Sequence, residues 1–172
     1  MSPLFGRRPP IRVERGERLL AHASATEGLV GGSRDALYVV RRLGTVMALE
    51  ETVRIPWEEV QSADWDQDSA VLHVVEVGSW GEVRPELRLT LEEPALLLQL
   101  VRERVTASVL LQRHVAIRGS RGVRVIARRA PRGDQPVRWL FEYDEGVDPD
   151  DPAVREAADA ALAAARTEVG TL

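Results

Sequence analysis

Apolar and polar side chains alternate most regularly between Glu86 and Leu91. Leu87, Leu89 and Leu91 fall on one face of an extended chain, and the residues between them are charged or polar. A period of two residues is typical of a strand with one buried and one solvent-exposed face. The pattern therefore predicts an antiparallel strand that faces a core through its leucines.

The period changes immediately after this strand. Glu92 and Glu93 precede Pro94, and acidic residues followed by proline favour the start of a helix. Apolar residues then recur at helical spacing, which predicts a helix over about 94–109 with a single apolar stripe. The members of this stripe are Leu97, Leu100, Val101, Val105 and Val109. We expect the stripe to close the sheet that precedes it.

Several short apolar runs, separated by turn residues, lie upstream of the helix. Residues 17–23 and 36–40 each predict a strand, and residues 45–55 predict two more. The segment 57–65 is interpreted as a connection, and residues 71–77, which are apolar on both faces, as a central strand. Strands closed by one helix predict an α+β fold, in which an antiparallel barrel or strongly bent sheet is capped by the helix.

A second pattern begins after this helix. Residues 114–118, 122–130 and 137–143 predict three strands, with Trp139, Phe141 and Tyr143 sharing one face of the last strand. Asp151 followed by Pro152 predicts the N-cap and first residue of a second helix. The apolar stripe of this helix is Val154, Ala158, Ala161, Leu162, Ala165 and Val169. Because most of these residues are alanine, we expect close packing of low strength, with the aromatic face beneath it.

The chain therefore divides into three parts. Residues 1–13 contain three prolines, a glycine and no periodicity, and we expect a flexible arm. Residues 14–109 form the main domain, and residues 110–172 form a β-β-β-α extension that we expect to pack on it. A chain of 172 residues has room for this one medium domain and its extension.

Cysteine and lysine are both absent from the chain, and their absence excludes several catalytic mechanisms. The chain contains no cysteine, and all 23 residues counted as lysine or arginine are arginine. Without lysine there is no P-loop lysine and no Schiff base, and without cysteine there is no thiolate nucleophile, disulfide or iron–sulfur ligand. Composition this rich in arginine and alanine and free of lysine is typical of a high-GC bacterium, and we expect an actinobacterium. No cofactor is indicated.

Charged residues interrupt every apolar run. No stretch approaches the roughly 18 to 20 apolar residues that a transmembrane helix requires. Pro9 and Pro10 stand where a signal peptide needs its apolar segment. We therefore expect a cytoplasmic protein without a transmembrane segment.

Positive and negative charges are segregated along the C-terminal half. Residues 102–138 contain ten arginines and two acidic residues, whereas residues 142–159 contain eight acidic residues and one arginine. The two blocks can neutralise each other, or the basic block can bind nucleic acid or another polyanion. The candidate anion-binding residues are Arg118, Arg121, Arg124, Arg128, Arg129 and Arg132. Arg124 and Arg128 share a strand face, about 13 Å apart at 3.3 Å per residue.

The remaining candidate groups show no catalytic or metal-ligand spacing. His22, His73 and His114 are far apart in sequence, and the surroundings of His73 favour a hydrogen-bonded core histidine. The aspartates around Trp65, which are Asp64, Asp66 and Asp68, leave open a hydrolase or isomerase that uses carboxylates. Three acids in a turn are more often simply solvated.

One stretch of the chain resembles a known family. It combines the string from Ser33 to Val40, the phrase from Val53 to Val60 containing Ile-Pro-Trp, a strand around Trp65 and a helix after Leu91. This order resembles bacterial pleckstrin-homology-like (PH-like) domains over residues of about 15–109. The resemblance implies a barrel plugged by one C-terminal helix. The family's phosphoinositide binding does not carry over, because the lysine-rich first loop is absent.

Together these features favour a non-enzymatic binding or adaptor module with a protein partner. We expect a peptide to be captured along a barrel edge next to the closing helix. The alternative is binding of nucleic acid or a polyanion through the arginine-rich hairpin 118–132.

Overall fold

The computed structural model describes residues 11–43, 49–79 and 82–170. The chain forms two compact units, Met1–Thr106 and Ala107–Leu172. Within the described residues the first unit holds seven strands and most of one helix. Their bounds are β1 Ala21–Ala25, β2 Gly28–Gly32, β3 Ala36–Leu43, β4 Leu49–Pro56, β5 Val60–Asp66, β6 Val71–Glu76, β7 Glu86–Glu92 and α1 Ala95–Ser108.

The seven strands make one antiparallel sheet in the order β4-β3-β2-β1-β7-β6-β5. The sheet curls into a half-barrel, which confirms the expected α+β fold with a strongly bent antiparallel sheet. Residues 45–55 were predicted to form two strands. The described part of that segment belongs to the single strand β4, and residues 44–48 lie outside the described residues.

Helix α1 closes the concave face of this sheet, as predicted. Leu97 and Val101 are almost fully buried in the same cluster as Trp57 and the inward side chains of the strands. At Gly32 an added Cβ would lie 2.6 Å from the Leu100 side chain, so the helix packs directly against backbone. The other buried members of this core are Ala23, Val30, Leu37, Val39, Ile55, Val60, Leu72, Val74, Leu89 and Leu91.

The helix bounds differ slightly from the prediction of 94–109. The Pro94 carbonyl accepts a hydrogen bond from the Leu98 backbone N–H at 2.8 Å, so Pro94 precedes the first helical residue. At the other end Val109 begins a strand instead of completing the helical stripe. β-Branched residues fit either element, and the local sequence gives no breaker between them.

The segment 57–65 is not the connection that the sequence suggested. It is a 3-10 turn, Trp57–Glu59, followed by β5. The register of β5 against β6 shifts between Val60 and Ser62, which marks a β-bulge. The bulge separates the inward residues Val60 and Ala63 by three positions instead of two. The interpretation was wrong because the bulge interrupts the period of two residues by which a strand is recognised.

A second apolar cluster covers the opposite face of β2 and β3. Ile11, Ala36, Tyr38 and Val40 are buried there. Ile11 is 1% exposed, so this part of the predicted arm packs against the sheet. Residues 1–10 of that arm lie outside the described residues.

The second unit has the predicted β-β-β-α order. Its elements are β8 Val109–Arg118, β9 Arg121–Arg128, β10 Arg138–Tyr143 and α2 Pro152–Val169, with the antiparallel strand order β10-β9-β8. The first strand starts at Val109 instead of residue 114. Asp151 caps α2 by accepting a hydrogen bond from the Ala153 backbone N–H at 2.9 Å, as predicted.

Small residues bring α2 close to this sheet. Ala161 and Ala165 are buried against Val125 of β9. Trp139 and Phe141 pack around them, which confirms that the aromatic face of β10 lies beneath the helix. Of the helices within the described residues, neither is long and apolar enough to cross a membrane.

Candidate functional site

A groove in the first unit runs between β5 and α1. It has a volume of about 440 Å³. Leu72 and Val101 are buried, whereas Trp65 and Leu98 are half-buried and so retain surface that a ligand can contact. The apolar lining comes from Ala63, Trp65, Leu72, Leu98, Val101 and Val105. A concave apolar surface of this size suits a few side chains of a ligand.

The groove lies at an edge of the sheet. β5 pairs with β6 on one side and is the last strand in the sheet order. An edge strand presents backbone donors and acceptors along its outer side, where another extended segment can pair with it. The stretch from Ala63 to Trp65 therefore offers a backbone edge next to an apolar groove.

Two kinds of polar residue border this groove. Ala63 and Trp65 pack toward the core, so the side chain of Asp64 between them points to the outer face. Its cross-strand neighbour there is His73. Arg102 and Thr106 of α1 are exposed on the other border. The guanidinium of Arg102 has no hydrogen bond or ion pair with any residue that the structure describes.

The arginine-rich hairpin lies in the second unit, and two of its arginines form ion pairs with acidic residues. Arg118 at the end of β8 forms an ion pair with Asp151. On β9 the Nη1 atom of Arg124 lies 3.3 Å from Oε2 of Glu142, its cross-strand neighbour. These contacts agree with the interpretation that the acidic block neutralises the basic block.

Arg128 differs from the other candidate arginines of the hairpin because it is buried. Only 4% of the residue is exposed, and Nη1 donates a hydrogen bond to Ser108 Oγ at 3.0 Å. Burial lowers the pKa of Arg128, an effect that the charge of Glu142 opposes. Arg124 and Arg128 share a strand face as predicted, but they do not present two exposed guanidinium groups.

The three remaining candidates differ in their surroundings. Arg121 is exposed, and its Nη1 lies 3.1 Å from where a Cβ on Gly146 would stand. The glycine, at φ +81°, thus leaves space for this guanidinium. Arg129 is half-buried after the end of β9, whereas Arg132 is exposed in the following turn. The structure therefore does not gather the six arginines into one exposed ladder.

The histidines occupy three separate places. His22 is exposed on β1. His73 does not lie in the core, which is a correction, because the buried residues of β6 are its neighbours Leu72 and Val74. Its Nε2 lies 2.9 Å from Oε2 of Glu86 on the outer face. The period of two was right for β6, but both faces carry valine and the sequence alone could not orient the strand.

His114 belongs to a small polar cluster in the second unit. Its Nε2 lies 2.8 Å from Oδ2 of Asp144, which also accepts a hydrogen bond from the Gly122 backbone N–H at 2.8 Å. The contact with His114, followed by that with Gly122, lowers the pKa of Asp144. The cluster therefore joins β8 and β9 to the segment after β10.

The three aspartates around Trp65 lie in β5 and in the turn that follows it. Asp64 and Asp66 lie in β5, and Asp68 lies in the turn that follows. Asp66 accepts hydrogen bonds from the Ser69 hydroxyl at 2.6 Å and from the Asp68 backbone N–H at 3.0 Å. These bonds, that of the Ser69 hydroxyl first, lower the pKa of Asp66. Its carboxylate therefore shapes the β5–β6 turn.

The first unit has a polar network on its outer side that was not predicted from the sequence. Oε2 of Glu17 accepts a hydrogen bond from the Tyr38 hydroxyl at 2.9 Å, and Oε1 accepts one from Nε of Arg54 at 3.1 Å. Ser33 Oγ also donates to this carboxylate. Arg54 stands 37 residues from Glu17. Only pairing of the strands brings these residues together, so local spacing could not reveal them.

The carboxylate of Glu17 is nearly buried, with 6% of its side chain exposed. Burial alone would raise its pKa, but the hydrogen bonds from Ser33, Arg54 and Tyr38 outweigh burial, and the pKa lies below the ordinary value. The same charge helps to raise the pKa of Arg54 despite its partial burial. The network thus fixes residue 17 to the sheet as an ion pair.

Across the described ranges, no group of three or more histidine, aspartate or glutamate side chains could hold a metal ion. A scan against protein-family models and a search of curated proteins both find no match for this chain.

Proposed function

We propose that this protein is a non-enzymatic binding module whose first unit captures an extended peptide along β5, beside α1. The observation that carries the proposal is the groove of about 440 Å³ next to the edge strand. Backbone pairing with β5 supplies affinity for any extended segment, and the apolar lining supplies selectivity for side chains.

The proposed identity of the first unit as a PH-like domain supports this function. A curled antiparallel sheet followed by a helix is compatible with that fold. The phrase Ile55-Pro56-Trp57 ends β4 and buries Trp57, whose Nε1 donates to the Ser33 carbonyl at 3.1 Å. The residues that carry the resemblance therefore build the core beneath α1, and the groove lies along one side of that helix.

The geometry of strand addition determines what the peptide contributes. Side chains at positions i and i+2 of an extended peptide point to the same side, about 6.7 Å apart. One apolar side chain directed between Leu98 and Trp65 would cover the half-buried surface of both. The neighbouring peptide residues would point to solvent and vary freely.

Selection from a display library of random peptides about ten residues long, which is sufficient to cover a strand, tests this proposal. The wild-type protein is expected to enrich sequences with an apolar residue at one position. Thr106→Trp, which fills the border of the groove, should weaken binding of the selected peptides by about tenfold or more. Glu103→Trp places the same bulky side chain at an exposed residue of α1 that does not line the groove, and this control should leave binding unchanged.

Backbone methylation separates strand addition from simple apolar contact. If the peptide pairs with β5, N-methylation at alternate positions should weaken binding by about threefold to tenfold, because each removes one hydrogen bond. Methylation at the intervening positions should have little effect. Uniform tolerance of methylation, or failure of the wild-type protein to enrich any sequence, would contradict the proposal.

Binding of nucleic acid or a polyanion through the hairpin 118–132 is the alternative, and it has weaker support. Arg118 and Arg124 already have acidic partners, and Arg128 is buried. If the hairpin binds phosphates, affinity for DNA or RNA must fall steeply with salt, and the double variant Arg121→Ala with Arg132→Ala, at two exposed arginines, must reduce that slope. Absence of binding at low salt would remove this alternative.

A further inference from the structure

Arg102 determines the charge at the border of the groove. Among the described residues that line the groove, only Asp64 and Arg102 are charged. The side chain of Asp64 points to the outer face of the sheet, as the packing of Ala63 and Trp65 requires. The electrostatic character of the groove border on the helix side is therefore positive.

The surroundings of Arg102 differ from those of other arginines in the chain. Arg54, Arg118 and Arg124 each form an ion pair with an acidic residue. Arg102 has no such partner among the residues that the structure describes. It also stands one residue from Val101 and three from Val105, which are part of the apolar lining. A carboxylate placed here would gain a charge-assisted hydrogen bond beside the apolar lining of the groove.

Helix and strand spacing determine where that carboxylate belongs in a peptide. Leu98 and Arg102 are four residues apart on α1, which corresponds to about 6 Å along the helix axis. Side chains two residues apart on an extended peptide are separated by about 6.7 Å. For a peptide whose added strand runs along α1, an apolar side chain packed near Leu98 brings the side chain two positions away close to Arg102.

We propose that Arg102 selects peptides in which an aspartate or glutamate stands two residues from the apolar residue that enters the groove. This inference rests on the proposed peptide-binding function and adds the chemistry of the ligand to it. Arg102 is a specificity-determining residue, and the ligand is an acidic-apolar extended peptide.

Library selection with charge-reversed variants tests the inference. The wild-type protein should enrich an acidic residue two positions from the apolar residue. Arg102→Glu should enrich arginine or lysine at the same position instead. Arg88→Glu makes the same change of net charge at an exposed residue of β7, on the face opposite Leu89, and should select the same sequences as the wild type.

A double-mutant cycle with one selected peptide, synthesised with an amidated C terminus, measures the pair directly. Replacing the acid of the peptide by glutamine should weaken binding to the wild-type protein by about threefold to tenfold. The same replacement should not weaken binding to Arg102→Gln, because the partner is already absent. Circular dichroism of each variant establishes that a loss of binding does not reflect unfolding.

The possible results separate this inference from the function on which it rests. Enrichment of an apolar residue without a nearby acid would overturn the role of Arg102 and leave peptide binding intact. Binding that needs a free C-terminal carboxylate and no acidic side chain would also overturn it. Failure to enrich any peptide would instead overturn the proposed function itself.

Discussion

The two units of this chain hold their helices against a sheet by different means. In the first unit, α1 inserts Leu97 and Val101 into a core that contains a fully buried Trp57. In the second unit, α2 approaches its sheet through Ala161 and Ala165. Large apolar side chains bury more area than alanines and stabilise more strongly.

The two units also differ in how exposed their ion pairs are. The Glu17 carboxylate in the first unit is nearly buried and bonded to Arg54. In the second unit the ion pairs are more exposed, as in Arg118 with Asp151, where 61% and 26% of the two side chains are exposed. Exposed pairs contribute little and are screened by salt. The comparison indicates that stability of the first unit should be less sensitive to salt than that of the second.

Truncation of the largest core residue should give the largest effect. Trp57→Ala is expected to lower the free energy of unfolding by about 3–5 kcal/mol, because it leaves a cavity and removes the hydrogen bond to the Ser33 carbonyl. Urea denaturation, with hydrogen exchange at β3 amides, measures the loss. Leu96→Ala, at a residue that is 74% exposed, is the control and should change stability little. A loss below about 1 kcal/mol for Trp57→Ala would contradict the inference that large buried side chains stabilise the first unit.

Neutralisation of the buried carboxylate should have the next largest effect. Glu17→Gln is expected to cost about 2 kcal/mol, less than a fully buried pair, because 27% of the Arg54 side chain is exposed. The pKa of Glu17 is lowered in the folded state. Its contribution should therefore be complete above the ordinary glutamate pKa of about 4.3 and be lost as the pH falls through the lowered value.

Urea denaturation at a series of pH values checks this result. Glu17→Gln should flatten the acid side of the stability profile, whereas Glu92→Gln, at an exposed residue of β7, should not. An unchanged acid profile in Glu17→Gln would show that the network does not contribute as its geometry indicates.

In the second unit the helix cap should matter more than the ion pair. Asp151→Ala removes both the hydrogen bond from Ala153 N–H and the ion pair with Arg118, and should cost about 1 kcal/mol. Asp151→Asn retains a capping oxygen and should cost less than half as much. Hydrogen exchange of α2 amides compares the two variants. Equal losses would mean that the charge, and not the cap, supports the start of α2.

The smallest expected effect concerns His114 and Asp144. The pKa of Asp144 is lowered, chiefly by His114, so the contribution of this carboxylate should be complete above the ordinary aspartate pKa of about 3.9 and be lost as the pH falls through the lowered value. NMR titration of the Asp144 carboxyl group should show its pKa rising in His114→Ala and in high salt. If the pKa of Asp144 rises neither in His114→Ala nor in high salt, the hydrogen bond from the Gly122 N–H would be the group that lowers it.

Predictions from the sequence succeeded where a single face of an element is apolar. β7 was predicted from Leu87, Leu89 and Leu91, of which Leu89 and Leu91 are buried and Leu87 is half-buried. The same holds for α2, whose cap and stripe are local features. Prediction failed for β5, where a bulge changes the spacing of inward residues, and at Val109, where a valine fits both helix and strand.

The candidate site was less predictable than the fold. A barrel edge beside the closing helix was expected, but the groove residues on β5 lay in a segment that was interpreted as a connection. The arginine-rich block was visible in the sequence, yet whether each guanidinium meets an acid depends on strand register, as for Arg124 and Glu142. Composition cannot supply this information.

Most elements and their order could be predicted from the sequence, because periodicity and helix caps are properties of neighbouring residues. Which distant residues meet was visible only in the folded chain. It placed Arg54 on Glu17 across 37 residues, buried Arg128, and left Arg102 beside an apolar groove without an acidic partner in the described chain. Pairing and burial depend on strand register and on packing between elements that are remote in sequence, and neither is encoded in any single segment.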